Sequence, residues 1–500
     1  MTPLLAAAAA IIHSPHVEYT AILPELILIG MAVVVMVAGS LTHRRVPGAV
    51  WTWATVGAGA ASVGASWYLW VQVGHRGAHT TIANAVAVDG YSVFFLMTIS
   101  IALVLGALVA GDFLRREGME GPEFYVLAML SAAGAMFMAV ANDLIVVFLG
   151  LEILSIALYV LAGYDSRRRQ SHEAAIKYFV LGAFSSAIFL YGVALTYGAT
   201  GSTNLSKIAD FLAGNVLTSN GVLLAGVALL MVGFGFKIAA VPFHTWSPDV
   251  YQGSPTPVTG YMAATAKAAG FAGLLRVLFS AFNVLRTDWQ PVVLVLAALT
   301  LAVGAVAALV QTDIKRLLAY SSINHAGFVL VGLASATAAG IAGSLYYLFV
   351  YTFMVIGSFA VVTLVGRKGD DRHNVEDYRG LAQERPVLAL VFTMLLLAQS
   401  GVPFTTGFLA KFSVISAAVA ARSYPLAILA ILFAVVAAFY YLRIILLMYS
   451  QPSAATPRRG PISVPAATSV VLALSLAFTV GFGIIPGPVV DFAHHATLLF

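Results

Sequence analysis

The sequence contains no cysteine. That excludes disulfides, thiolate zinc sites and cysteine-held iron–sulfur clusters, so any redox centre that works with this chain sits in another one. Charge is scarce too: 9% of the 500 residues are Asp, Glu, Lys or Arg and 60% are hydrophobic, where a soluble domain carries about a quarter charged residues. A water-soluble core cannot absorb that surplus. Apolar runs of spanning length recur from end to end and leave no segment for a soluble domain, so lipid is the solvent to reason with. The net charge of +5 raises the question of nucleic acid, but the basic residues are dispersed in short loops between apolar runs, a pattern of membrane orientation and not of a nucleic-acid patch. The stretch from Met1 to Ile12 has no basic n-region and is too short to span, so the N-terminus is read as uncleaved.

The apolar runs place fourteen spans at about 22–41, 49–73, 87–111, 122–140, 143–163, 172–198, 220–246, 257–282, 290–311, 314–335, 338–366, 386–420, 424–449 and 462–490. The positive-inside rule tests this map independently. With the N-terminus outside, the inner loops hold 16 basic residues, among them Arg44, Arg45, Arg115, Arg116, Arg167 to Arg169, Lys315, Arg316, Arg367, Arg458 and Arg459; the outer loops hold 4, Arg76, Lys207, Arg286 and Arg422. A missed or invented span would scramble that alternation, so the expected fold is an all-α integral membrane protein with both termini outside.

The remaining six basic residues, Lys177, Lys237, Lys267, Arg276, Lys411 and Arg443, fall within spans. A charge at the centre of a membrane helix costs about 2.5–3.5 kcal/mol on insertion scales and needs a partner or water. Glu152 lies mid-span in Phe148-Leu149-Gly150-Leu151-Glu152-Ile153-Leu154, and Lys177 on the antiparallel neighbour is its nearest candidate partner. Lys237, Lys267, His325 and Lys411 sit at comparable depth, so the series Glu152, Lys177, Lys237, Lys267, His325, Lys411 runs along the membrane plane. Such a series suits a proton relay, because a buried lysine bears its charge at a cost that a neighbour's charge modulates. The plainer reading is that each group is satisfied by a backbone carbonyl or snorkels to the interface; it is preferred for Arg276 and Arg443, which lack an obvious charged partner or lie near span ends.

Two spans carry their own interruptions. Pro242, five residues after Lys237, removes an amide and clashes with the carbonyl of Ile238. The twelfth span is about 35 residues, roughly 50 Å as one straight helix, too long for a 30 Å hydrocarbon core, and Gly401-Val402-Pro403-Phe404 breaks it shortly before Lys411. Unwound backbone is tolerated in a membrane only where protein or a cavity satisfies it, and in transporters it marks the ion site. The breaks fall in spans seven and twelve, five apart, so spans four to eight and nine to thirteen form two inverted five-helix repeats. The expected organisation is a three-helix segment (1–121), a first repeat (122–282), a second (283–450) and a C-terminal helix (451–500).

Phe234-Gly235-Phe236-Lys237 through Val241-Pro242-Phe243-His244-Thr245-Trp246-Ser247-Pro248-Asp249-Val250-Tyr251-Gln252-Gly253-Ser254-Pro255 resembles the signature of the antiporter-like subunits of respiratory complex I, the NADH-quinone oxidoreductase. Glu173 to Phe179, Gln311 to His325 and Gly401-Val402-Pro403-Phe404 with Lys411 support the resemblance, which covers nearly the whole chain. Asp249 to Gly253 and Leu23-Pro24-Glu25-Leu26 resemble the subunit N branch; Lys411 argues against subunit M, and an end soon after span fourteen against subunit L. The resemblance implies a coupling pair of Glu152 with Lys177 or Lys237, a central relay lysine at Lys267, a gate at His325 and an exit through Lys411. It also implies a bacterial inner-membrane location, subunit M and the small membrane subunits as partners, and NADH, FMN, iron–sulfur clusters and quinone bound in other subunits. No cofactor or metal is expected in this chain. The alternatives are a stand-alone cation/proton antiporter, recognisable by cation-driven exchange of the isolated chain, and a structural scaffold with no pathway.

Overall fold

The computed structural model describes residues 17–42, 46–215, 220–451 and 462–498. Met1 to Ile12 and the orienting residues Arg44, Arg45, Arg458 and Arg459 lie outside them. A first group of helices, α1 (Leu23–Thr42), α2 (Gly48–Arg76) and α3 (Gly90–Glu117), precedes α4 (Pro122–Val140), α5 (Leu144–Ala162), α6 (Arg169–Thr200) and the short α7 (Leu205–Gly214). Next come α8 (Gly221–Ile238), α9 (Trp246–Gly253) and α10 (Thr256–Arg276), which runs on through a π turn, then α11 (Arg286–Leu309), α12 (Ile314–Ser335) and α13 (Ala338–Gly366). The chain closes with α14 (Leu381–Glu384), α15 (Pro386–Ser400), α16 (Thr406–Ala420), α17 (Tyr424–Tyr449), α18 (Ala466–Ile484) and α19 (Gly487–His495).

Twelve of the described helices are long and apolar enough to cross a membrane. The 29-residue α2 is long enough as well, and α15 with α16 forms one interrupted crossing, which brings the total to the fourteen read from the sequence. Several boundaries differ. Span three begins at Gly90, because Val86–Val88 pairs with His79–Thr81 in a small hairpin and Asp89 caps the helix through Ser92 N at 2.7 Å. Span seven ends at Ile238, and span fourteen divides before Gly487. The amphipathic α7 had no counterpart in the span map.

Side-chain size decides which helices lie innermost. Gly134 on α4 and Gly150 on α5 face each other so closely that an added Cβ would collide with the opposing backbone, the small-residue contact typical of membrane helices. Helix α10 is enclosed along its whole length and α12 and α13 nearly so, while α1, α17 and α18 turn large apolar side chains outward as a lipid-facing surface does.

Features recur at a spacing of 170 residues. Gly134 on α4 matches Gly304 on α11; the N-cap Asp143 of α5 matches the N-cap Asp313 of α12; Asn204 matches Asn374. Asp143 forms an antiparallel bridge with Asn204, and Asp313 forms one with Asn374. The first bridge adjoins Ala141, which pairs with Val86 beside the start of α3; the second adjoins the 367–373 loop, whose Gly369 N donates to Glu117 Oε2 at the end of α3. These equivalent features lie at opposite ends of the bundle.

Candidate functional site

Each helix break leaves a carbonyl free and a lysine takes it. At the end of α8, Ala239 adopts the left-handed conformation (φ 59°), and the amides of Ala239 and Ala240 turn back to Phe236 O and Gly235 O. Val241 N then donates to Thr300 Oγ1 at 3.0 Å, and the next peptide, Val241–Pro242, is cis. The carbonyl of Ile238, last residue of α8, accepts from Lys267 Nζ at 3.3 Å. At the end of α15, Gly401 (φ 92°) turns the chain, the amides of Gly401 and Val402 return to Leu397 O, and the carbonyl of Ser400 accepts from Lys411 Nζ at 2.9 Å. The C-terminal end of a helix is the negative end of its dipole, so both breaks present cations with a partner that carries no full charge.

The remaining groups join these two points. Lys237 Nζ donates to Ser155 Oγ at 2.8 Å and to Tyr178 OH at 3.4 Å. Glu152 lies one turn before Ser155 on α5; its Oε1 is buried without a hydrogen-bond partner, and it acts electrostatically on Lys237. Lys267 also donates to Ser322 O at 2.8 Å, and one turn further along α12 stands His325. His325 hydrogen-bonds Tyr347 OH through Nδ1 at 2.7 Å and Tyr441 OH through Nε2 at 3.0 Å. Tyr441 in turn donates to Gln399 Oε1 at 3.5 Å, beside the Ser400 carbonyl that holds Lys411. Lys237, Lys267, His325 and Lys411 are all buried. The line passes through α5, α8, α10, α12 and α16 with a polar group at nearly every step.

Lys177 stands apart from it. The expected Glu152–Lys177 pair is not formed: Lys177 Nζ lies 2.7 Å from Asp249 Oδ2 and 2.8 Å from Glu173 Oε1, with 41% of its side chain exposed. Asp249 also takes Arg316 Nη1 at 2.5 Å. Burial alone would raise the Asp249 carboxyl, but the hydrogen bonds from Lys177 and Arg316 hold it below the usual carboxylate range.

Two buried ion clusters escaped the sequence reading. Arg276 is neither lone nor snorkelling: Nη1 and Nη2 grip Asp89 Oδ2 and Oδ1 at 2.9 Å each, Nε donates to Ala139 O, and the guanidinium lies over the Tyr91 ring. Arg443 does find a backbone carbonyl, Leu309 O at 3.2 Å. At the other end of the bundle, Asp370 accepts from Thr256 N at 3.1 Å, Thr256 Oγ1 at 2.6 Å and Arg168 Nη1 at 3.0 Å, with His373 Nε2 at 3.2 Å and Lys315 Nζ at 3.9 Å. Burial works against the Asp370 charge, yet Lys315, His373 and Arg168 together keep the carboxyl well below the ordinary range. The Asp89-Gly90 step before a long apolar run was a legible capping signal; nothing local marked Asp370.

Residues 141–438 match the family model described as NADH:quinone oxidoreductase/Mrp antiporter, TM. That span includes every member of the line from Glu152 to Lys411. The chain is 42% identical over 487 residues to NADH-quinone oxidoreductase subunit N of Trichlorobacter lovleyi, covering 97% of this chain and 98% of the relative. The chain belongs to the NADH-quinone oxidoreductase subunit N family. The subunit N of Mycobacterium tuberculosis is 40% identical over 535 aligned residues, covering 98% and 99% of the two chains. A chain of respiratory complex I from Thermus thermophilus with bound aureothin superposes with a TM-score of 0.77 at 34% identity, covering 93% of this chain and 98% of that one. A chain of the Mrp complex from Dietzia reaches a TM-score of 0.84 at 18% identity, a likeness of fold alone. Subunit N membership thus accounts for an all-α, multi-pass membrane chain with two interrupted crossings.

Proposed function

We propose that this chain is the proton-translocating subunit of an NADH-quinone oxidoreductase, moving protons along Glu152, Lys237, Lys267, His325 and Lys411 while electrons pass from NADH to quinone elsewhere. The observation that carries this reading is the pairing of Lys267 and Lys411 with the freed carbonyls of Ile238 and Ser400. An ammonium held by a carboxylate must break an ion pair to give up its proton. One held by neutral carbonyls and hydroxyls, as Lys237, Lys267 and Lys411 are, needs no such rupture, and the neutral amine still donates a hydrogen bond. A charge arriving at one site disfavours a charge on the next, which drives stepwise transfer. In this scheme Glu152 couples to Lys237, and Lys177 with Asp249 and Arg316 forms a polar entrance near the start of α6.

NADH, FMN, iron–sulfur clusters and quinone belong, in this reading, to partner subunits, and the chain itself performs no redox chemistry. Its neighbours are subunit M and the small membrane subunits, in the bacterial inner membrane, with both termini outside. The second break supports a protein neighbour: Val402 and Phe404 are exposed on this chain, and unwound backbone facing hydrocarbon needs protein cover. The functional division follows segments 1–121, 122–282, 283–450 and 451–500, the middle two each contributing one break. Glu152→Gln and Lys237→Met test the reading in assembled, reconstituted complex. Proton pumping falls by roughly tenfold or more, about 1.4 kcal/mol of barrier, with subunit content unchanged; full pumping overturns the relay.

A further inference from the structure

None of the first three helices contributes to the lysine line, yet α1 carries an acid inside the bundle. Glu25, one residue after Pro24 in the first turn of α1, is fully enclosed, and neither Oε1 nor Oε2 has a hydrogen-bond partner. Hydroxyls lie beside the residue that precedes it. Ser62 Oγ on α2 donates to Pro24 O at 3.2 Å and shares a hydrogen bond with Ser100 Oγ on α3 at 2.9 Å; Ser66 Oγ, one turn on, donates to Ser62 O at 2.8 Å. The buried residues of α2 at this level, Ser62, Ala65, Ser66 and Leu69, are uncharged, as are the buried residues of α4. At the aqueous end of α1 and α2, Glu18 Oε2 lies 3.1 Å from His79 Nε2 and Glu18 Oε1 lies 3.9 Å from Arg76 Nη1. They satisfy one another above Glu25.

An ionised carboxylate cannot stand in such a place without a counter-charge or donors, whereas the neutral acid can. A purely structural position would be served better by an apolar residue, since a polar group without partners only weakens packing. We infer that Glu25 is a proton-binding site separate from the lysine line, held as the neutral acid and exchanging its proton with the aqueous face at Glu18 and His79 by way of the Ser62 and Ser66 hydroxyls. This site does not depend on the relay: it stands or falls on Glu25 alone.

The test is infrared difference spectroscopy on purified whole complex, wild type minus Glu25→Gln, at neutral pH. The site requires one carbonyl stretching band of a protonated acid that is lost in the variant and that shifts when H2O is replaced by D2O. Loss of carboxylate bands instead, or an acid band that never shifts in D2O, overturns it, the first because Glu25 is ionised and the second because its proton is sealed in. Should Glu25→Gln fail to assemble, Glu25→Met supplies the subtraction. Because the site holds no charge, Glu25→Met must assemble, and its failure counts against the proposal.

Discussion

At the scale of single residues, many buried polar groups are either locked in ion pairs or held by neutral partners, and in the proposed relay that division separates architecture from transport. Arg276 and Asp89 belong to the first kind. Removing one partner of a buried pair leaves an uncompensated charge, at a cost of about 3–5 kcal/mol; Asp89→Asn or Arg276→Met therefore lowers the thermal stability of the complex, and the double variant recovers much of the loss. Thermal denaturation of the three variants checks this. His325 belongs to the second kind. Tyr441→Phe removes the hydroxyl at His325 Nε2 while keeping the ring in the core, so pumping slows with assembly intact, measurable as proton uptake per quinone reduced. The sequence showed which residues were expensive but not their partners: Asp89 and Arg276 lie 187 positions apart. Adjacency makes Lys177 a candidate partner of Glu152, but the order of helices does not say which way a side chain turns.

At the scale of elements, the interruptions matter more than the helices they divide. The apolar runs revealed how many crossings there are and Pro242 and Pro403 located the breaks, because length and proline act locally. That the first break releases its carbonyl to a lysine from another segment is a tertiary fact with no local trace. The equivalence at 170 residues was equally hidden, as it rests on caps and bridges and not on repeated runs. Gly401 is the element-level test. Its φ of 92° excludes most side chains, and a Cβ there would approach Lys411 Cδ to 3.0 Å. Gly401→Ala costs about 1–2 kcal/mol in the turn and pushes Lys411 off Ser400 O, so pumping drops more than stability does; comparing the two losses in one preparation checks it.

For the molecule as a whole, the Asp370 cluster ties the starts of α6, α10 and α12 to the 367–373 loop at one end of the bundle, as the Arg276 pair ties α3 to α10 at the other. Because the folded Asp370 carboxyl titrates below its unfolded range, its contribution is fully present above the ordinary carboxylate range and fades only as pH falls through the depressed value. Asp370→Asn is therefore less stable than wild type at neutral pH, and the two converge only in strong acid; melting curves across pH decide this. Between these clamps the proposed relay groups keep their neutral partners.

The central claim is that protons cross this chain through Lys267, midway along the line. The direct measurement is the number of protons moved per NADH oxidised in proteoliposomes containing whole complex with Lys267→Met. The account predicts a lower ratio with NADH oxidation still able to proceed and every subunit present. An unchanged ratio would contradict it.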